Sequence, residues 1–304
     1  MGGRARLAAL IAIVVGAFAC GSAPALADSL LVPNTNWTAL LPPLPGTPNQ
    51  PQPGPVPYCE TPSVECIDTE IERMTELRDR LGCDHRAVFA TTYLELTKEI
   101  RRYVDSDTET LQDLNYLYTE DALFADFYFD TIDAWEHGGR VPPAWRIAFE
   151  QAAHGQITGA QEMLLGINAH VQNDMPFVIA ALGVRTPDGA SRKPDHDVIN
   201  EVLNRGYEPV VEAIRRRYDP LISLTNSSFV PADNIAGLEI VRVWRELVWR
   251  NAERLLTAPT ESARQQVAQQ IEANAAAWAQ GIALAQIPGI RASRDRYCEK
   301  QLGP

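Results

Sequence analysis

The sequence predicts an all-α protein, a single multi-helix, bundle-like domain preceded by a proline-rich tether. Three observations carry this. From about Ser63 onward apolar residues recur every three to four positions, and no run of alternating β-branched residues interrupts them. Gly138-Gly139, Pro142-Pro143, Gly183 and Pro220 fall between these periodic stretches, as helix stops and starts do. Between Asp28 and Pro62 the chain is crowded instead with proline, from Pro42 to Pro57, and has no apolar period. Such a segment lacks backbone donors and reads as extended linker. The expected organisation is a signal peptide over 1–27, a linker over 28–62 and one helical domain over 63–304.

Taken in order, the first helix is Val64 to Leu81. Asp84 caps a second, carried by Phe89, Tyr93, Leu96 and Ile100. A third runs from about Leu111 to His137, and a fourth from Ala144 to Ala153 behind two prolines, whose missing N–H groups cost little in a first turn. The fifth is one helix from Thr158 to Leu182. The sixth spans Asp195 to Tyr218, and the seventh starts at Pro231-Ala232-Asp233 and passes through Trp244 and Trp249. Val267, Ile271, Ala275, Trp278 and Ile282 mark an eighth beginning at Thr260-Glu261, and a last helix from about Gly289 holds Cys298.

Arg4 and Arg6, the apolar run Leu7 to Ala19 and the small residues Ala25-Leu26-Ala27 form a secretory signal with cleavage near Ala27. The expected location is therefore secreted or cell envelope. No later stretch approaches the roughly 20 apolar residues needed to span a bilayer. Loss of the two arginines takes the formal net charge from −12 to −14, which argues against nucleic acid or an anionic membrane as partner. Cys59, Cys66, Cys83 and Cys298 remain after cleavage, an even number that suggests two disulfides. A helix from Ile67 to Leu81 would hold Cys66 and Cys83 about 25 Å apart, disfavouring that pair. Two pairings stay open, and both tie Cys298 back to the first helix.

The strongest chemical signal is His170 and Asp174, four residues apart on one helix face, where an imidazole and a carboxylate can share a metal ion. On a straight helical wheel Leu164, Ile167, Val171, Val178 and Leu182 form the buried face. His170 and Asp174 lie on its shoulder, and Glu162, Gln172 and Asn173 point away. A structural hydrogen bond between the pair is the competing reading. Pro176 should kink the helix and free a carbonyl nearby. Asp126, Asp130, Asp133 and His137 form a second possible ligand stripe, although Leu117, Phe124, Tyr128, Ile132 and Trp135 on the opposite side make it look like a solvated face. Asp84-His85 and Asp195-His196-Asp197 sit at helix starts, where the aspartates serve as caps and the dipole keeps the histidines neutral, the metal-binding form. Arg242, Arg245, Glu246 and Arg250, interleaved with Trp244 and Trp249, could line a pocket, but surface ion pairs over a buried aromatic seam are the favoured reading.

The run Ile167 to Pro176, with Asp84-His85-Arg86 and Val141-Pro142-Pro143-Ala144-Trp145, resembles an uncharacterised family of bacterial helical proteins known as a domain of unknown function. That resemblance covers roughly Ile67 to Asp219 and implies no activity. His170 and Asp174 are also similar to the H-x-x-x-D pair of the zinc-dependent phospholipase C and S1/P1 nuclease group. Here Pro176 follows the aspartate closely and no histidine follows the proline. The resemblance implies zinc or another divalent metal.

Two functions are expected on these grounds. One is a metal-dependent hydrolase of phosphoesters or carboxylic esters, with His170 and Asp174 holding the ion and His85, His196, His137 or Asp133 completing its shell. The other is a non-catalytic exported protein that binds an apolar small molecule or lipid, with the His/Asp pair locking the core.

Overall fold

The structure, a computed structural model, describes Val56 and residues 58–106, 110–222 and 233–303. The signal segment and most of the proline-rich linker lie outside the described residues, as do Pro231 and Ala232. The described residues are helical throughout, with one isolated antiparallel bridge, Arg185 to Ser191, and no strand. No described helix is long and apolar enough to cross a membrane.

The helices are α1 (Val64–Leu81), α2 (Ala87–Ser106), α3 (Leu114–Glu136), α4 (Pro143–His154), α5 (Gly159–Ile167), α6 (Met175–Leu182), α7 (Lys193–Arg217), α8 (Asp233–Thr257), α9 (Glu261–Ala283) and α10 (Ile290–Leu302). Their ends follow local chemistry. Asp113 caps α3 by accepting from the Tyr116 N–H, and Thr158 and Gln161 form a reciprocal capping box on α5. Gly155 closes α4 at φ 64°, a backbone region glycine enters without penalty. Asp84 accepts from the Arg86 N–H ahead of α2, as expected. Asp195 does not cap its own helix. It lies inside the first turn of α7 and accepts from the backbone N–H groups of Gln112 and Asp113, so it ties α7 to the start of α3.

The single helix expected from Thr158 to Leu182 is three pieces. Between α5 and α6 the backbone widens into a π-helical segment, Asn168–Asp174, and the Met175 N–H reaches the His170 carbonyl five residues back. Pro176 explains the position, because a proline removes an N–H and its ring crowds the carbonyl four residues before it, here that of Gln172. The expected kink is absorbed as a π turn.

This α5–π–α6 rod runs through the middle of the molecule, with α2, α3, α4, α8 and α9 packed around it and α7 laid along α2. Every residue from Asn168 to Asp174 is buried. Gln172, Asn173 and Glu162, placed on an outer face by the straight wheel, are therefore inside. A rod surrounded on all sides has no outer face. Its polar groups bond instead to neighbours: Asn168 Nδ2 donates to the Ala275 carbonyl and Asn274 Nδ2 to Gln172 Oε1, both across to α9.

Disulfides join Cys59 to Cys66 and Cys83 to Cys298, so α10 is fastened beside the α1–α2 turn. Next to that bond, Arg294 forms a two-pronged ion pair with Glu162, at 2.8 and 2.6 Å. His85 sits between Glu162 and Asp295 at 2.6 and 2.9 Å. The paired disulfides and the lack of a membrane-spanning helix among the described residues are compatible with an extracellular location.

Candidate functional site

A cavity of about 250 Å³ opens between α2, α3, α5, the π segment, α7 and α8. Its outer part is lined by half-buried apolar side chains, Leu96, Leu164, Ile167, Leu203, Tyr207 and Val241. Its inner part holds the buried Phe89, Tyr93, Phe124 and Met175, with four ionisable residues in the wall: Glu120, Asp121, His170 and Arg245.

His170 is 2% exposed and sits in an aromatic cage. Its ring stacks on Phe124, with centroids 3.5 Å apart and planes 5° from parallel, and Phe89, Tyr93, Tyr128 and Trp145 close the other sides. Nδ1 lies 3.0 Å from Asp174 Oδ2. A carboxylate only accepts, so the proton is on Nδ1, and Nε2, which has no hydrogen-bond partner, is a lone-pair acceptor. Burial holds the imidazole below its usual pKa in spite of Asp174, which keeps it neutral.

Asp174 is 1% exposed and its carboxylate is fully engaged. Oδ2 also accepts from Trp145 Nε1 at 2.8 Å, and Oδ1 accepts from Asn173 Nδ2 at 2.7 Å. In the structure the pair forms a hydrogen-bond hub linking α4 to the π segment. The other proposed ligands do not join it. His137 and Asp133 lie at the far end of α3 with side chains 75% and 74% exposed, on the solvated stripe. His85 belongs to the ion network under α10. Burial works against its charge, but Glu162 and Asp295 outweigh it and raise the pKa, so this histidine is not held neutral by the helix dipole. His196 is neutral, pushed well below its usual pKa by burial and by the cations of Arg245 and Lys193, and its Nε2 lies 3.2 Å from the Arg245 carbonyl. Among the described residues no group of three or more His, Cys, Asp or Glu is arranged to hold a metal ion.

Arg245 corrects a second expectation. Trp244 and Trp249 form a buried seam as expected, but Arg245 and Glu246 are buried with them instead of pairing at the surface, and Arg245 lines the cavity. Glu246 is matched by Lys193 at 2.6 Å and Arg250 at 2.9 Å. Among the described residues Arg245 has no carboxylate within 4.0 Å. Its guanidinium meets the His196 carbonyl and Nδ1 and the Met175 sulfur, and its Nε has no partner.

Sequence reasoning passed over the carboxylates of the cavity. Glu120 and Asp121 lie on the buried side of α3 between Leu117 and Phe124, and Asp121 sits beside Glu70 of α1, which accepts from Thr97 Oγ1 at 2.9 Å. Burial pushes Glu120 and Asp121 up to about 7, and burial together with Asp121 drives Glu70 well above the carboxylate range. The signal was present in the order Leu117, Glu120, Phe124, which places an acid within the apolar stripe.

No curated protein and no solved structure matches the chain, and the expected similarity to the zinc phospholipase and nuclease group is not shown. A family model does match, over residues 67–285, which include α2 to α9 and every residue of the cavity wall. The chain belongs to that family, a family of unknown function designated DUF5995.

Proposed function

We propose that this is a non-catalytic, exported protein that binds an apolar small molecule or lipid-like chain in the cavity beside His170. The observation that carries the reading is the cavity itself. Protein cores pack as tightly as organic crystals, so an apolar space of about 250 Å³ reaching in among buried side chains is a departure from ordinary core packing. The walls are overwhelmingly apolar with a few polar groups at one end, the usual composition of a small-molecule site. Apolar cavities of about 150 Å³ accept benzene, and at about 30 Å³ per water-sized atom this one holds on the order of eight non-hydrogen atoms.

Under this reading the His170–Asp174 hub supports the cavity wall. The other expectation, a hydrolase with a divalent metal shared by that pair, would replace the His170 Nδ1–Asp174 Oδ2 hydrogen bond by coordination to the ion.

Titration calorimetry with octan-1-ol tests the proposal. The expected result is saturable one-to-one binding with a negative heat-capacity change, lost in Ala160→Phe, which places a ring in the cavity. Absence of saturable binding, or undiminished binding to a folded Ala160→Phe, refutes it.

A further inference from the structure

Building on the cavity reading, we infer that the ligand is an organic acid: an apolar body with a terminal carboxylate, the carboxylate received by Arg245. The buried charges of the domain are out of balance at one place. Arg245 is 2% exposed, forms part of the cavity wall and has no carboxylate within salt-bridge distance among the described residues. The other buried cations among the described residues are matched. Arg192 has Asp113, Lys193 has Asp197 and Glu246, and Arg294 has Glu162. A charge held away from water without an opposite partner is among the costliest features a fold can carry.

Glu120 and Asp197 act on Arg245 only at longer range and do not supply the missing contact; Glu120 lies 3.9 Å from His196 Nδ1 and Asp197 pairs with Lys193. The environment of Glu120 favours the protonated form, as does that of the Glu70–Asp121 pair behind it, so an incoming anion meets acids able to take a proton rather than fixed negative charge. Guanidinium suits a carboxylate because its parallel N–H groups match two oxygens. The contacts Arg245 makes now, to a backbone carbonyl, a neutral imidazole nitrogen and a thioether, are uncharged. The apolar remainder of the ligand would lie along Leu96, Leu164 and Leu203 toward the opening.

The test compares octanoate, octan-1-ol and octylamine by titration calorimetry on the purified protein and on Arg245→Met, which keeps the length and removes the charge. Charge-assisted hydrogen bonds are worth enough to make octanoate bind about tenfold to a hundredfold more tightly than octanol in the wild type. Octylamine should be the weakest. In Arg245→Met the preference should vanish while octanol still binds. Equal binding of octanoate and octanol to the wild type overturns the inference yet leaves the cavity reading standing, and so does a preference that survives in Arg245→Met. If none of the three binds, the cavity reading itself has failed. The wild-type comparison decides the matter even if the variant does not fold.

Discussion

Replacing Asp174 with alanine separates a structural hub from a metal ligand. The carboxylate accepts from Trp145 Nε1, Asn173 Nδ2 and His170 Nδ1 at 2.8, 2.7 and 3.0 Å, and all four residues are buried. A donor left buried without an acceptor costs about 1–3 kcal/mol. His170 gains nothing by moving its proton, because Nε2 is buried and has no acceptor among the described residues either. Trp145 cannot turn to another acceptor, being fully buried and stacked between Tyr128 and Phe149. The expected loss is therefore about 3–5 kcal/mol. In a domain of this size each kcal/mol shifts the midpoint by about 2–4 °C, so Tm should fall by roughly 6–20 °C. Asp174→Asn keeps one carbonyl oxygen for Trp145 and should lose less than half as much. Calorimetric melting with and without EDTA is the assay, and the chelator should leave all three proteins unchanged. A Tm for Asp174→Ala within about 2 °C of wild type would show that the hub stabilises little. An EDTA-induced drop in the wild type that Asp174→Ala abolishes would instead establish the pair as metal ligands.

Three further predictions rest on other parts of the molecule. Glu120 binds its proton with a pKa raised from 4.5 to about 7, so between those values the folded state holds more protons than the unfolded one and stability falls as pH rises. Each unit is worth about 1.4 kcal/mol, and Glu120→Gln should flatten the decline in melting temperature between about pH 5 and 7; an unchanged slope refutes the assignment. Gly166→Ala should destabilise by about 1–3 kcal/mol even though alanine favours helix by about 1, because its Cβ would lie 2.1–2.8 Å from Phe89 atoms, including Cβ, that cannot swing aside. Urea denaturation of that variant at or above wild-type stability would contradict it. Removing the Cys83–Cys298 bond, which spans 215 residues, should cost roughly 5 kcal/mol, against about 2 for Cys59–Cys66, which spans 7. Paired Cys→Ala variants compared in urea check the order, and equal losses would sink it.

The helices were legible because their signals are local. Val64 to Leu81 needs only the apolar period, and α9 begins where Thr260 offers its hydroxyl to the Ala263 N–H. The disulfide pairing was narrowed by the same geometry, since a rigid helix keeps Cys66 from Cys83. The site was legible only in its first residue pair. His170 and Asp174 do meet, but what they do depends on Trp145, which comes from α4, 29 positions earlier in the chain. Arg245 and Glu120 were misread or missed for a related reason: whether a charged side chain on an amphipathic helix faces water is decided by which other helices cover it.

Pro176 shows how one residue can make a helical wheel fail and a cavity form. A straight helix advances about 100° per residue, so the wheel carried the phase of α5 unbroken into α6. The π segment that accommodates the proline changes that phase within Asn168–Asp174, and it does so where His170 meets Phe124 and Asp174 meets Trp145. Gly166 works with it, one turn earlier, by allowing Phe89 to lie against the bare backbone of α5. Phe89, Phe124 and His170 are all cavity wall. The wide turn and the missing side chain together bring three rings around one space while leaving that space open toward Leu164 and Leu203. Extra backbone in a turn displaces side chains from the positions that regular packing would fill, and π turns occur often at functional sites for that reason. The cavity is thus a consequence of where Pro176 and Gly166 stand in the chain, and its acid-lined inner end follows from α3 placing Glu120 and Asp121 one turn from the ring that stacks on His170.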